Sequence, residues 1–247
     1  MPDALGYRKK FGVIIPSTNT AVQPEFDEMR PKGVTNHISR IVIPDAPLES
    51  DADFSRIMDL IAGAQMAAVD AVMTCRPDYM VLGISSETFW NGLDASRRMR
   101  EEIAARCGLA VSMASEACVR ALELYKAKRI AILTPYWPIG DQRVRTFFSE
   151  AGFDVKRMKG LCCRSPMLIA HVQADELRKA ALELDGDDID ALVQCGTNLA
   201  FARQAAGLEQ ELKKPVVAVN TAIYWHALRA CGIQDRAEGW GRLFASA

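Results

Sequence analysis

Short apolar runs alternate with longer amphipathic stretches along this chain. The runs at 11–15, 38–43, 79–83, 110–112, 129–133, 154–158, 191–194 and 216–219 read as strands. Helical patterns fill the intervals at 53–76, 91–106, 115–126, 141–151, 173–184, 200–212 and 221–231. Regular strand–helix–strand alternation predicts an α/β protein with parallel sheets covered by helices on both faces.

The two halves of the pattern look alike. Phe11-Gly-Val-Ile-Ile-Pro16 resembles Ile130-Ala-Ile-Leu-Thr-Pro135, and Tyr79-Met-Val-Leu-Gly-Ile84 resembles Asp190-Ala-Leu-Val-Gln-Cys195. Ser115-Glu-Ala-Cys-Val-Arg-Ala-Leu122 resembles Thr221-Ala-Ile-Tyr-Trp-His-Ala-Leu228. The three pairs keep one order at a spacing of roughly 110 residues, a duplication on the scale of a domain. Two similar lobes would then face each other across a cleft. We expect residues 1–115 and 221–247 to form the N-terminal lobe and 116–220 the C-terminal one. Ligands of open parallel sheets sit beyond the carboxyl ends of the strands. That rule points to Pro16-Ser-Thr-Asn19, Ile84-Ser-Ser86 and Ser112-Met-Ala-Ser115 in the first half. In the second it points to Pro135-Tyr136, Cys195-Gly-Thr-Asn198 and Asn220-Thr221.

Composition narrows the class. The 247 residues carry 30 basic and 31 acidic side chains, a formal net charge of -1. No basic stripe suggests nucleic acid or an anionic membrane as partner. No apolar run is long enough to span a bilayer, and the first residues lack a secretory pattern. Seven scattered cysteines read as free thiols of a reducing compartment rather than a disulfide framework. No C-x-x-C pair or zinc spacing appears, so no metal is expected.

Among the thiols, Cys195 stands out. It ends an apolar strand and precedes Gly196, Thr197 and Asn198. A thiol near a helix N-terminus has a depressed pKa, which brings thiol and thiolate within reach at neutral pH for acid–base work. The remaining cysteines sit on helical or turn patterns, apart from the vicinal pair Cys162 and Cys163 in a loop. Ser85, Ser86, Tyr136 and Gly196 converge on the same cleft, where hydroxyls and backbone N–H groups suit a carboxylate or an enediolate. Asn19 binds a carboxylate or shapes an Asx turn, and the turn is its ordinary role. A hydrolase built on Ser85 or Ser86 needs a base, and no histidine falls in a cleft segment.

These residues resemble a known group, the branch of the aspartate/glutamate racemase superfamily that holds arylmalonate decarboxylase and maleate cis-trans isomerase. Gly12-Val-Ile-Ile-Pro-Ser-Thr-Asn-Thr20 resembles the opening strand of the isomerases. Cys195-Gly196 resembles the catalytic Cys-Gly of the decarboxylase, and Gly239-Trp-Gly-Arg-Leu-Phe244 its C-terminus. The resemblance implies Rossmann-like lobes with four-stranded sheets related by a pseudo-twofold, and a cytoplasmic enzyme with no cofactor. It places the hydroxyl pair of a dioxyanion pocket on Ser85 and Ser86, with serine for threonine at one site. It places the tyrosine of that pocket on Tyr136 and its backbone donor on Gly196, with Asn19 and Pro16 beside them.

Racemases and isomerases of this group use two cysteines, the decarboxylase only the second. Here the second is Cys195 and the first position falls on Ile84, which has no proton to exchange. A further departure is Glu87, at a position that the decarboxylase keeps apolar. Arg164 lies in the loop that supplies other pocket residues, and Ile169 remains apolar. The resemblance therefore implies a cofactor-free decarboxylase of a malonate-like acid, with Cys195 protonating the enediolate and Ile84, Glu87, Arg164 and Ile169 bearing on specificity. A maleate isomerase and a non-catalytic carboxylate-binding protein are the alternatives. The expected partner is a small carboxylate or dicarboxylate, and the subunit number is open, a homo-oligomer included.

Overall fold

The computed structural model describes residues 3–245. The outermost residues of the expected lobe division, 1–2 and 246–247, lie outside them. The first half contains β1 (Lys9–Pro16), α1 (Val22–Met29), β2 (Val34–Ile41), α2 (Asp51–Met73), β3 (Tyr79–Leu82), α3 (Ser86–Trp90), α4 (Gly92–Cys107) and β4 (Val111–Ser112). The second contains α5 (Ala114–Leu124), β5 (Arg129–Thr134), α6 (Pro138–Glu150), β6 (Asp154–Gly160), α7 (Ala174–Glu183), β7 (Ala191–Gln194), α8 (Ala202–Leu212), β8 (Val216–Ala218) and α9 (Val219–Ala230). A short 3₁₀ turn, Leu168–His171, precedes α7, and α10 (Arg242–Ala245) ends the chain's described part.

Two parallel four-stranded sheets result, ordered β2-β1-β3-β4 and β6-β5-β7-β8. Adding four to every strand number of the first sheet reproduces the second, so the duplicated motifs occupy equivalent strands. Central strands β1, β3, β5 and β7 are buried along nearly their whole length. Their continuous apolar runs, without polar alternation, follow from helices covering both faces. The helices after the last strands cross over. α5 follows the first sheet yet touches β8, whereas α9 follows the second sheet and packs on β3 and β4. α5 and α9 also pack on each other, which ties the halves together.

Most expected elements are present, with ends displaced by a few residues. Three helices, α1, α3 and α10, have no counterpart in the sequence reading. α1 carries Pro24 in its first turn, where a missing N–H costs no helical hydrogen bond. α3 is a five-residue helix directly after the β3 turn. The largest shift is in β2, which runs from Val34 rather than residue 38 and pairs in register with β1 from Lys9↔Val34 onward. Its first residues, Thr35, Asn36 and His37, are only partly buried, so they carry no apolar signal. α2 is capped by Ser50, whose hydroxyl accepts the Asp53 N–H at 3.2 Å, while Asp53 in turn accepts the Glu49 N–H. This reciprocal cap fixes the start of the helix that roofs the cleft.

Candidate active site

The carboxyl ends of β1, β3, β5 and β7 meet around one cavity of about 60 Å³. That space holds a few waters, or the reacting end of a small acid, at roughly 10–15 Å³ per water. The first half contributes Pro16, Thr18 and Asn19 after β1, and Ile84, Ser85 and Ser86 after β3. The second contributes Pro135 and Tyr136 after β5, Gly196, Thr197 and Asn198 after β7, and Pro166 and Ile169 from the β6–α7 connection. The roof is the apolar face of α2, with Phe54, Ile57, Met58 and Ile61, continued by Ile43 and Leu48. Those four α2 positions follow the spacing of one helical face. In the sequence they cannot be told from an ordinary core stripe, which is why the roof was not foreseen.

Polar contacts cross the cleft floor. The Ser85 and Tyr136 hydroxyls are 2.7 Å apart, and the Thr197 N–H donates to Ser85 Oγ at 3.0 Å. Ser86 Oγ donates to Glu87 Oε2 at 3.0 Å. Burial pushes the Tyr136 phenol well above its ordinary range, and the Ser85 contact opposes the shift. Tyr136 is thus a neutral donor at any physiological pH. Asn19 forms the expected Asx turn and lines the cavity. Its Oδ1 accepts the Ala21 and Val22 N–H groups in an Asx turn, and its Nδ2 donates to Thr197 Oγ1 at 3.2 Å. Asn198 bridges the halves more completely, accepting the Thr20 N–H and donating to the Thr18 and Pro166 carbonyls.

Cys195 corrects one expectation. No helix starts behind it, because α8 begins only at Ala202. A turn intervenes, closed by Leu199 N–H on Gly196 O and pinned by Asn198 to the opposite half. The thiol is fully buried, and burial pushes its pKa well up, with Cys118 and Asp141 adding to the shift. The expected depression is therefore reversed: at neutral pH the group is a thiol with a proton to give. Cys195 is not among the residues that line the cavity, although Gly196 next to it in the chain is. Gly196 has φ +126°, and a Cβ there would run into the Pro135 ring, so only glycine lets the chain pass this close to β5.

Glu87 and Arg164 do not enter the cavity. Glu87 turns into a separate crevice between α2 and α4 with Gln65, Arg98 and Glu102. Arg164 lines a wider outer hollow with Asp45, Glu49 and Trp137. The loops around that hollow are joined by Leu48 N–H on Arg164 O at 2.7 Å and Met167 N–H on Asp45 Oδ1 at 3.0 Å. The inner cavity is therefore mostly apolar outside its hydroxyl floor. None of the histidines lines it. His226 Nδ1 instead meets Ser112 Oγ at 2.7 Å, and neither of these lines the cavity. Neither Ser85 nor Ser86 has a histidine partner to act as base.

Comparison with known proteins accords with this geometry. Residues 11–244 match the profile of the arylmalonate decarboxylase family. A maleate isomerase of Pseudomonas putida is 27% identical over 96% of this chain and 98% of its own length. The arylmalonate decarboxylase of Bordetella bronchiseptica is 26% identical over 81% of this chain and 79% of its own. Among solved structures, a Nocardia farcinica maleate cis-trans isomerase with a covalently bound succinylcysteine intermediate superposes with a TM-score of 0.88 at 20% identity, covering 97% of this chain and 99% of that one. An arylmalonate decarboxylase structure gives 0.77 at 19% identity, covering 96% and 100%. The fold is shared with both enzymes, and the profile spans nearly all of the described residues, from β1 to the last helix. The chain belongs to the arylmalonate decarboxylase family.

Proposed function

We propose that this protein is a cofactor-free decarboxylase of a malonate-like acid. One carboxylate is held by Ser85, Ser86, Tyr136 and the backbone at Gly196. The bond to the other carboxylate breaks, CO2 leaves into the apolar space under α2, and the electron pair passes into the held carboxylate as an enediolate. The Cys195 S–H then gives its proton to the α-carbon, and the thiolate recovers a proton from solvent. The hydroxyl floor is the electron sink, which suits a preorganised set of neutral donors in a water-poor cavity. Desolvation of the departing carboxylate by Phe54, Ile57 and Ile169 favours its loss.

The observation that carries this reading is the pairing of Ile84 with Cys195. Ile84 lies in the cavity wall after β3, and Cys195 stands after β7, the equivalent strand. Among the described residues no cysteine lines the cavity, and Cys195 precedes the lining residue Gly196, so no thiol faces the cavity from the Ile84 side. A single buried acid suits one-sided protonation better than attack on a double bond by one thiol with help from another.

Maleate isomerisation is the second reading, favoured by the 27% identity and the TM-score of 0.88. The succinylcysteine of the Nocardia structure reports a thiol adduct in that protein. Proton NMR in D2O with phenylmalonate, methylmalonate, hydroxymalonate and maleate separates the two. Decarboxylation with one deuterium per product, absent in Cys195→Ala, supports the lyase. Fumarate formed from maleate would replace it with the isomerase. Binding without turnover of any of the four would favour a carboxylate-binding role.

A further inference from the structure

Glu87 is a buried carboxylate that the reaction above does not use. It is 6% exposed, its Oε2 accepts from Ser86 Oγ at 3.0 Å, and its Oε1 has no hydrogen-bond partner. Among the described residues no cation bonds to it. α6 and α5 both pack on α3, but Arg143 of α6 lies over the Trp90 ring and Glu116 of α5 pairs with Arg100. From α2 come Gln65, whose buried Nε2 is also unpartnered, and Met66. From α4 come Arg98 and Glu102, opposite charges that share the crevice and form no bond to Glu87. From the end of β5, Tyr136 presents its neutral hydroxyl, which also contacts Ser86.

Ser86 sits between this crevice and the cavity. Its hydroxyl has one proton. While Glu87 is ionised that proton points at Oε2, and only the oxygen lone pairs of Ser86 face a bound anion. When Glu87 is protonated its own O–H can donate to Ser86 Oγ, which frees the serine proton for the cavity. We propose that Glu87 is a positioning residue that carries a proton whenever a carboxylate occupies the cavity, setting Ser86 as donor to that anion, so that ligand binding takes up a proton. Ionised Glu87 would oppose an anion at Ser86 both through its charge and through the reversed hydroxyl. Burial already raises its pKa to about 7, the Ser86 bond and its own N–H opposing. The inference rests on the cavity being a carboxylate site, as proposed above.

The test is calorimetric titration of the Cys195→Ala protein, in which turnover is expected to be slowed by about 10²–10⁴-fold, with succinate, methylmalonate and maleate. Each titration is run near pH 8 in two buffers of different ionisation enthalpy. With Glu87 present, a bound ligand should take up most of one proton, and affinity should weaken towards tenfold per pH unit above neutrality. Added Glu87→Gln, whose amide donates to Ser86 permanently, should abolish the uptake and flatten the profile. Added Glu25→Gln removes the other buried glutamate raised to about 7, which is bonded to Asn220 and the Ala202 N–H away from Ser86. It should leave the uptake intact. Binding without proton uptake, or uptake that survives Glu87→Gln, overturns the proposal while sparing the carboxylate site. Failure of all three acids to bind overturns both.

Discussion

The ends of β3 and β7 occupy the same place in two sheets of identical strand order, yet they offer opposite chemistry. After β3 comes Ile84, an aliphatic wall. After β7 comes Cys195, a thiol kept protonated by burial. Two positions further on, the contrast reverses in character. Ser86 leads to Glu87, with one oxygen unpartnered, whereas Thr197 leads to Asn198, bonded across the cleft to Thr20 through its oxygen and to Thr18 through its nitrogen. A duplicated backbone thus supports a one-sided acid over one half and a loosely satisfied carboxyl beside the other. The symmetry belongs to the sheets and the reactivity to side chains at their ends.

Removing the acid should break the comparison most strongly. Cys195→Ala should lower turnover of a decarboxylated substrate by about 10²–10⁴-fold, the usual range for a general acid, as measured by steady-state CO2 release. Tyr136→Phe removes one floor donor and should cost about 10²-fold or more in kcat. Its KM should change far less, because the donor acts on charge that develops in the transition state. Ile84→Cys should sharpen the comparison by restoring chemical symmetry. Retained decarboxylation with loss of product enantiomeric purity is expected, read by chiral chromatography.

How far the sequence revealed these features depends on the kind of signal each leaves. The sheets were legible because central strands buried on both faces are unbroken apolar runs, as in Val13 to Ile15 and Ala191 to Val193. The cleft was legible because the ligand rule names strand ends, and Pro16, Asn19, Ile84, Ser85, Ser86, Tyr136 and Gly196 do line one cavity, with Ile169, which the family resemblance named. The state of Cys195 was not legible, because it depends on whether the next residues form a helix. That is decided by Asn198 bonding to Thr18, Thr20 and Pro166, contacts distant in sequence. The direction of Glu87 was equally hidden, since a short helix after β3 rotates it to the far side of Ser86. The roof of α2 differed again: its apolar stripe was visible, but not which neighbour it faced.

A smaller effect concerns stability. Glu87 in the folded protein titrates at about 7, above the ordinary carboxyl. Between the unfolded and folded values the folded state holds more protons, so stability falls as pH rises through that window. From pH 5.5 to 8 the loss from this group is about 2 kcal/mol, taking 1.36 kcal/mol per pKa unit. Urea unfolding of Glu87→Gln should show that part of the slope removed, with the largest gain over the parent at pH 8. The smallest effect is expected from Arg164→Ala. This exposed side chain lies outside the inner cavity, and a screened charge contributes ~0–1 kcal/mol, so kcat/KM should stay within about fivefold.

The most direct test of the account is the enantiomeric composition of product from a prochiral malonate such as methylphenylmalonate. Protonation from Cys195 alone, with Ile84 closing the other face, predicts a single enantiomer carrying one deuterium in D2O, and product formation slowed by about 10²–10⁴-fold in Cys195→Ala. A racemic product from the wild-type protein, or undiminished turnover without Cys195, would contradict the one-sided acid on which the account rests.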